Sequence, residues 1–217
     1  MSGPSAERSI QLDGKPLRYL EAGQGSPVLI LESELRLSAF AGLLAQQFRV
    51  VVLELPASAD QDDQDDQDDQ DRAVVASRLN RAVATIGLDH YVVIGSDDAA
   101  ALAVWQAVDA PEHIDGLVLI SPTVLLPETA AETALVERLG EVRAPTLVLF
   151  GTNDPAIPPE TGRLYVERLP ECYYALSYDA GHDIAADRPE ALFEAVSDFV
   201  ERRGTFIVER NSTALHP

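Results

Sequence analysis

Lysine, cysteine and long apolar runs are all scarce in this chain of 217 residues. Lys15 is its single lysine, and 16 basic residues stand against 36 acidic ones, which gives a formal net charge of −20. So acidic a chain repels phosphate, and this excludes nucleic acid and anionic lipid surfaces as partners. The lone cysteine, Cys172, excludes an internal disulfide, and its apolar neighbours predict a buried strand thiol.

No apolar run reaches the length needed to span a membrane, and Met1 to Pro4 form a polar start with no secretory apolar segment. We therefore expect a cytoplasmic protein without a membrane partner. With 46% hydrophobic residues, the chain is long enough to bury one sizeable core. The default expectation is a single domain over residues 1–217.

An acidic repeat of aspartate and glutamine occupies residues 60–71. Its period of three does not match the helical repeat of 3.6, so its acids repel one another around every face, and it offers no apolar side chain for burial. We expect a solvated linker within the domain. Weak cation binding or a basic partner is the functional alternative.

Short apolar strands alternate with helical segments along most of the chain, after an initial hairpin around Asp13-Gly14. This alternation favours a mostly parallel sheet with helices on both faces. The predicted strands are Val28 to Leu31, Val50 to Leu55, Tyr91 to Gly95, Gly116 to Ile120, Thr146 to Phe150 and Cys172 to Leu176. The predicted helices are Ala39 to Gln47, Arg72 to Ile86, Ala99 to Ala110, Thr129 to Leu139, Pro159 to Arg168 and Pro189 to Arg203.

A C-terminal extension, residues 205–217, follows the last predicted helix. Its segment Thr205 to Arg210 is β-prone, and its apolar side chains need a partner. Such a segment adds a strand to its own sheet edge or to that of a second subunit. A homodimer through this segment is therefore one expectation.

The most informative stretch is Gly95-Ser96-Asp97-Asp98-Ala99, which lies between a predicted strand and a predicted helix. At a sharp strand-to-helix turn, the residues two before and two after the exposed apex must be small so that strand and helix pass closely. Gly95 and Ala99 meet this requirement when Asp97 is the apex. A register with Ser96 at the apex would put Ile94 and Asp98 at the two small positions.

In this stretch the chain resembles the α/β-hydrolase family, whose G-x-S-x-G pattern reads G-S-D-D-A here. The later motifs follow in the family's order: Asp154 after the strand Thr146 to Phe150, then His182 in the segment Ala180-Gly181-His182-Asp183. The resemblance runs from about Ser9 to Arg203. It implies a three-layer α/β/α fold in which Asp97, Asp154 and His182 come together at one sheet edge.

An aspartate at the apex resembles the dehalogenase-like members of the family. The resemblance implies that Asp97 attacks carbon directly, that His182 activates water against the resulting ester, and that Asp154 holds the imidazole tautomer. The expected substrate is a small ester or a halo-acid, with no cofactor and no metal. No metal-binding motif is present, although Glu32, Glu34, Asp183 and the other acids near this edge leave a bound cation as an alternative.

The chain also departs from the family's pattern. Glu32-Ser33 replaces the His-Gly pair of the oxyanion loop, and Asp98 stands where a halide-binding tryptophan follows the nucleophile. Glu32, Ser33 and Asp98 are thus expected at the pocket, although an ionised carboxylate repels an oxyanion. Residues 122–145 leave room for one helix and contain no tyrosine, so the cap is minimal or absent and ring opening of an epoxide is disfavoured.

Two alternatives to covalent hydrolysis therefore remain open. One is a catalytically degenerate homologue with a binding or assembly role, in which Asp97 is a relic, Asp98 caps the following helix and Asp154 belongs to a local turn. The other is a hydrolase that uses general-base catalysis only. His182 is the one histidine in a site context, since His90 and His113 precede strands at surface positions, and Trp105 is expected in the core.

Overall fold

One twisted nine-stranded sheet organises the chain in a computed structural model that describes residues 6–12, 15–55, 72–125, 130–205 and 213–215. The strands are β1 Ala6–Leu12, β2 Lys15–Ala22, β3 Pro27–Glu32, β4 Arg49–Glu54, β5 Tyr91–Ser96, β6 Ile114–Ile120, β7 Thr146–Gly151, β8 Cys172–Ser177 and β9 Thr213–Leu215. Their order in the sheet is β1-β2-β4-β3-β5-β6-β7-β8-β9. Strand β2 pairs antiparallel with both β1 and β4, and all neighbours from β4 onwards pair in parallel.

Helices follow the central strands, as a parallel sheet requires. They are α1 Ala39–Leu44, α2 Arg72–Ala84, α3 Ala99–Asp109, α4 Ala130–Arg138, α5 Gly162–Arg168, α6 Ile184–Asp187 and α7 Pro189–Arg202. Short 3₁₀ turns adjoin α4, α5 and α7, at Leu139–Glu141, Pro159–Thr161 and Arg203–Thr205. Within the described residues, no helix is long and apolar enough to cross a membrane.

Side chains alternate between two cores because successive residues of a strand point to opposite faces of the sheet. In β3, Leu29 and Leu31 pack with α2 and α3 on one face, while Val28 and Ile30 pack with α1 and α7 on the other. The central strands are apolar on both sides, which is typical of a covered parallel sheet. The predicted three-layer α/β/α class with a mostly parallel sheet is confirmed.

The predicted elements differ from the observed ones mainly at their ends. The first helix ends at Leu44 rather than Gln47, and the helix expected from Pro159 begins as a 3₁₀ turn before α5. Cys172 and Trp105 are buried, as expected. The turn Asp13-Gly14 and the acidic repeat at 60–71 lie outside the described residues.

The C-terminal extension contributes an edge strand to the chain's own sheet. Thr213–Leu215 pairs in parallel with β8, with Leu176 opposite Ala214. The expected β-prone segment falls mostly on residues 206–212, which lie outside the described part of the chain. The homodimer thus stays a prediction.

The connection between β6 and β7 places little over the carboxyl ends of the strands. In its described part it holds the nine-residue helix α4 and a 3₁₀ turn. This agrees with the expected minimal or absent cap. The carboxyl ends of β3, β5 and β6 are bordered by the loops that follow those strands.

Candidate active site

Asp97 lies at the tip of a tight turn between β5 and α3. Its φ of 50° is in the left-handed region, which few residues other than glycine adopt and in which aspartate is better tolerated than most. Its carbonyl accepts a hydrogen bond from Ala100 N at 3.2 Å, and its own N–H donates to Ile120 O at 3.0 Å. The turn therefore fixes the Asp97 backbone between the helix and the neighbouring strand β6.

Gly95 permits this turn because the backbone of α3 passes directly over it. A Cβ at Gly95 would lie 2.6 Å from Ala99 O and 2.9 Å from the nitrogen and Cα of Ala100. These are rigid backbone atoms, so a side chain has no room. The requirement for a small residue two positions before Asp97 thus has a direct steric cause.

Gly95→Ala is accordingly expected to destabilise the fold by about 3 kcal/mol, at the upper end of overpacking costs. Gly42→Ala is the matched control, because Gly42 lies inside α1 with nothing within 4 Å of the added Cβ, and there alanine should stabilise by about 0.5–1 kcal/mol. Urea unfolding of both variants measures the difference. Equal stability of the two variants would contradict the steric argument.

Asp154 is held firmly by the loop after β7. Its side chain is fully buried. Oδ1 accepts hydrogen bonds from the N–H groups of Ala156 and Ile157 at 2.8 and 3.0 Å, and Oδ2 faces His182 Nδ1 at 2.8 Å. Because an ionised carboxylate only accepts, this arrangement places a proton on Nδ1 of the imidazole.

The imidazole of His182 bridges the two carboxylates. Its Nε2 lies 3.5 Å from Asp97 Oδ1, and its side chain is 32% exposed while that of Asp97 is 55% exposed. With Nδ1 protonated, Nε2 carries the lone pair of the ring on the side that faces Asp97 and the cavity, where it can take a proton from water. The structure thus brings Asp97, His182 and Asp154 together in that order.

The loop that carries His182 is fastened at several points. Gly181 N donates to Asp187 Oδ2 at 2.7 Å, and the Asp183 carboxylate caps α6 through Ala186 N at 3.0 Å. The carbonyl of His182 accepts the Ser121 hydroxyl at 2.7 Å. The ring is therefore positioned from its backbone as well as from Asp154.

His182 and Asp154 both have shifted pKa values. Burial by itself would lower the pKa of His182, but the hydrogen bond and charge of Asp154 and the charge of Asp97 outweigh it and leave that pKa raised. Burial would likewise raise the pKa of Asp154, but the bonds from Ile157, His182 and Ala156 outweigh it and lower that pKa. Asp154 is thus ionised at neutral pH, beside an imidazole of increased basicity.

A cavity of about 540 Å³ opens beside Asp97 and His182. Its floor is apolar, with Ile30, Ile94 and Ile120 at the ends of three parallel strands, and its rim is charged. The residues around it are Leu31, Glu32, Ser33, Arg36, Ser38, Ala39, Phe40, Leu55, Ser96, Asp98, Ala99, Ser121, Asp183, Ile184, Ala185 and Ala186. Such a concave, largely apolar site with a few polar groups is typical of small-molecule binding.

Glu32, the last residue of β3, and Ser33, which follows it, line this cavity, where the sequence predicted them. Burial is the largest cause that raises the pKa of Glu32, the carboxylates of Asp183 and Glu34 add to it, and Arg36 opposes it. Glu32 is therefore easier to protonate than an exposed glutamate. Among the described residues, His, Cys, Asp and Glu form no group of three or more suited to hold a metal ion.

Asp98 also lines the cavity, but it does not cap α3 with its side chain. Its Oδ1 instead accepts a hydrogen bond from Thr123 Oγ1 at 3.2 Å, and its carbonyl accepts one from Arg72. Asp98 is thus the N-cap residue of α3 by position, but its carboxylate makes no capping hydrogen bond, because its αR backbone, with φ −67° and ψ −30°, differs from the extended conformation typical of an N-cap.

Sequence reasoning missed Arg36 and Ser121 as cavity residues. Ser121 directly follows a predicted strand, and Arg36 lies in the loop after another. Because the carboxyl ends of parallel strands share one edge of the sheet, these positions could have identified both as candidate cavity residues. His90 and His113 lie on the surface, remote from the cavity, and His113 Nδ1 lies 2.7 Å from Asp89 O. They take no part in the site.

Comparison with known proteins agrees with this architecture. Residues 33–139 match a family model described as the alpha/beta hydrolase fold. The chain is 25% identical over 208 residues to a Pongo abelii protein named "Putative protein-lysine deacylase ABHD14B", covering 90% of this chain and 95% of that protein.

Solved structures have the same fold. One is 2-hydroxy-6-oxo-6-phenylhexa-2,4-dienoate hydrolase (BphD) from Rhodococcus sp. strain RHA1, with a TM-score of 0.73, 15% identity, and coverage of 90% of this chain and 98% of that one. Another is the carboxylesterase CesB (YbfK) from Bacillus subtilis, with a TM-score of 0.70, 14% identity, and coverage of 90% and 91%. The chain therefore has the α/β-hydrolase fold, and hydrolases are among the solved structures that share this fold.

Proposed function

We propose that this protein is a hydrolase that forms a covalent ester on Asp97. The observation that carries the proposal is the row of side chains from the exposed Asp97 carboxylate through His182 to the buried Asp154, with separations of 3.5 and 2.8 Å. A relic aspartate needs no such partners. The fixed backbone at φ 50° also holds Asp97 at the cavity rather than in bulk solvent.

In the first step, an Asp97 oxygen attacks a carbon that bears a leaving group. With a halo-acid, the new carbon–oxygen bond forms at the saturated carbon, the halide departs with the electron pair of the broken bond, and the intermediate is an Asp97 ester. With an activated ester, attack at the acyl carbon expels the alkoxide or phenolate with its electron pair, and the intermediate is a mixed anhydride of Asp97. A carboxylate nucleophile has no proton that a base must remove before it attacks. His182 is therefore not required for this step.

In the second step, water hydrolyses the ester. Nε2 of His182 takes a proton from a water molecule, and the resulting hydroxide attacks the carbonyl carbon of the Asp97 ester. The alkoxide takes the proton from Nε2 and leaves as an alcohol, whereas an acyl group held as the anhydride leaves as its carboxylate. The regenerated Asp97 carboxyl releases its proton to solvent, and Asp154 stabilises the imidazolium formed in between. Burial of Asp154 and the fixed Nδ1 proton favour this role.

The charges around the cavity bear on the substrate, which we propose to be a small ester or a halo-acid. Displacement at a saturated carbon puts the developing charge on the leaving group, so the presence of Glu32 instead of an oxyanion donor costs less in this step than in acyl transfer. A halo-acid carries a carboxylate, and Arg36 lines the cavity as a cation that attracts it. Hydrolases consume water, so the hydrolases that share this fold are consistent with the second step.

Trapping the ester tests the proposal. In His182→Gln the first step proceeds and the second stops, so incubation with chloroacetate should leave a carboxymethyl ester on the peptide that contains Asp97, and incubation with para-nitrophenyl acetate should leave an acetyl anhydride there. Mass spectrometry detects the adduct. His90→Gln, which changes an exposed histidine remote from the cavity, is the control and should not accumulate it. Absence of an adduct across a broad panel of halo-acids and activated esters would instead favour a binding or assembly role.

A further inference from the structure

Ser121 directly follows the last residue of β6, and its hydrogen bonds join this strand to the neighbouring elements. It is 1% exposed, and its φ of 44° lies in the left-handed region, which serine adopts only at a cost. Asp97 has a similar φ at the end of the adjacent strand β5. Two neighbouring parallel strands therefore end in strained, non-glycine residues at the same cavity.

The end of β6 is bonded to each of the elements that carry the site. Ser121 N donates to Leu149 O in β7 at 2.8 Å, Asp97 N donates to Ile120 O at 3.0 Å, and Ser121 Oγ donates to His182 O at 2.7 Å. The last contact spans 61 residues of sequence and is made by a side chain. It connects the strand that fixes Asp97 to the loop that carries His182.

The separation between His182 and Asp97 is sensitive to such a connection. At 3.5 Å, Nε2 and Oδ1 are at the outer limit of direct contact, so a small shift of the His182 backbone changes their alignment. Misplacement of a reacting group by about 1 Å costs on the order of 10²-fold in rate. The hydroxyl of Ser121 is well placed to prevent this shift.

We propose that Ser121 is a positioning residue whose hydroxyl fixes the backbone of His182 and thereby sets the imidazole between Asp97 and Asp154. This inference rests on the proposed function, because the positioned step is the hydrolysis of the Asp97 ester. Formation of the ester needs Asp97 alone. Loss of the hydroxyl therefore slows the second step and leaves the first unchanged.

The test compares two buried serines that end strands of the same sheet. Ser121→Ala removes a hydroxyl bonded to His182, while Ser177→Ala, in β8, removes a buried hydroxyl that has no hydrogen-bond partner among the described residues. With chloroacetate, or with para-nitrophenyl acetate if only that reacts, Ser121→Ala should form the adduct at the wild-type rate and hydrolyse it about 10²-fold more slowly. The adduct then accumulates although His182 is present, and Ser177→Ala should behave as wild type.

A second measurement needs no substrate. Titration of the His182 ring by NMR, assigned with His182→Gln, should show its pKa lowered in Ser121→Ala toward the ordinary value, because the ring is less closely held to the Asp154 and Asp97 carboxylates. Ser121→Gly repeats both measurements in a variant whose backbone tolerates the left-handed φ, which guards against a folding defect. If Ser121→Ala leaves the His182 pKa unchanged and accumulates no Asp97 adduct, the positioning role is overturned. If the His182 pKa falls in Ser121→Ala but His182→Gln forms no adduct, only the covalent mechanism is overturned.

Discussion

Asp97→Asn is expected to lower turnover by about 10⁴-fold or more, the scale seen when a covalent nucleophile is removed. The amide has nearly the shape of the carboxylate, and asparagine is at least as tolerant of the left-handed φ of 50°, so the turn should persist. What is lost is the charge that attacks carbon. The substitution should therefore lower turnover and leave the stability of the fold nearly unchanged.

Turnover of chloroacetate or para-nitrophenyl acetate, whichever the wild type accepts, gives the measurement, and thermal unfolding checks the fold. Asp198→Asn is a control for loss of one carboxylate, because Asp198 lies on α7 and pairs with Arg202 at the surface. It should retain wild-type turnover. If Asp97→Asn keeps turnover within about tenfold of the wild-type value, a covalent role for this residue is contradicted.

Labelled water separates covalent hydrolysis from general-base catalysis on the wild-type protein. Hydrolysis of an Asp97 ester places the water oxygen in the Asp97 carboxylate during a single turnover, because hydroxide attacks the carbonyl carbon. A mechanism in which His182 directs water to the substrate leaves that carboxylate unlabelled. Mass spectrometry of the peptide after one turnover in water labelled with heavy oxygen reads out the difference.

The fold could be predicted from the sequence because its strands are apolar on both faces and its helices follow at regular intervals. Strands such as Val28 to Leu31 are apolar at every position, whereas a strand with one face in solvent alternates apolar and polar residues. The uninterrupted apolar pattern indicates a parallel sheet that is covered on both faces. Helix ends were less predictable: α1 stops at Leu44 because the next residues form turns that lead into β4. The edge strand β9 depends on pairing with β8, a contact that local pattern does not reveal.

The site was predictable to the extent that topology places residues at one edge. Asp97, Asp154 and His182 follow strands or loops that must meet there, and the structure brings them together. Ser121 was not predicted because its contribution depends on a left-handed backbone and on a loop 61 residues away. Spacing along the sequence indicates at which edge of the sheet a side chain lies. Its hydrogen-bond partners depend on loop conformation, which the spacing does not indicate.

Asp154→Asn should have the second large effect, a loss of about 10⁴-fold in hydrolysis of the Asp97 ester. The amide presents a donor where the carboxylate accepts from Nδ1, so it favours the wrong imidazole tautomer. It also removes the carboxylate that raises the pKa of His182. Formation of the ester should stay close to the wild-type rate, so the adduct should accumulate as in His182→Gln.

The pH dependence has a definite sign. His182 must be neutral to activate water, so wild-type ester hydrolysis should rise with pH through a His182 pKa that lies above its ordinary value. In Asp154→Asn this rise should move to lower pH because that pKa falls. Asp115→Asn is the matched control, since it removes the carboxylate from a surface pair with His90 and should change neither the rate nor the profile.

Stability provides an independent measurement on Asp154→Asn. The pKa of Asp154 is lowered in the folded protein, so its ionised form stabilises the fold above the ordinary aspartate pKa, and this contribution is lost as pH falls through the lowered value. Replacement of a buried, charged acceptor should cost about 2–3 kcal/mol at pH 7. Urea unfolding should show the gap between wild type and variant narrowing in acid. A gap that stays constant down to the acid range would contradict an ionised Asp154 and, with it, the imidazole orientation on which hydrolysis depends.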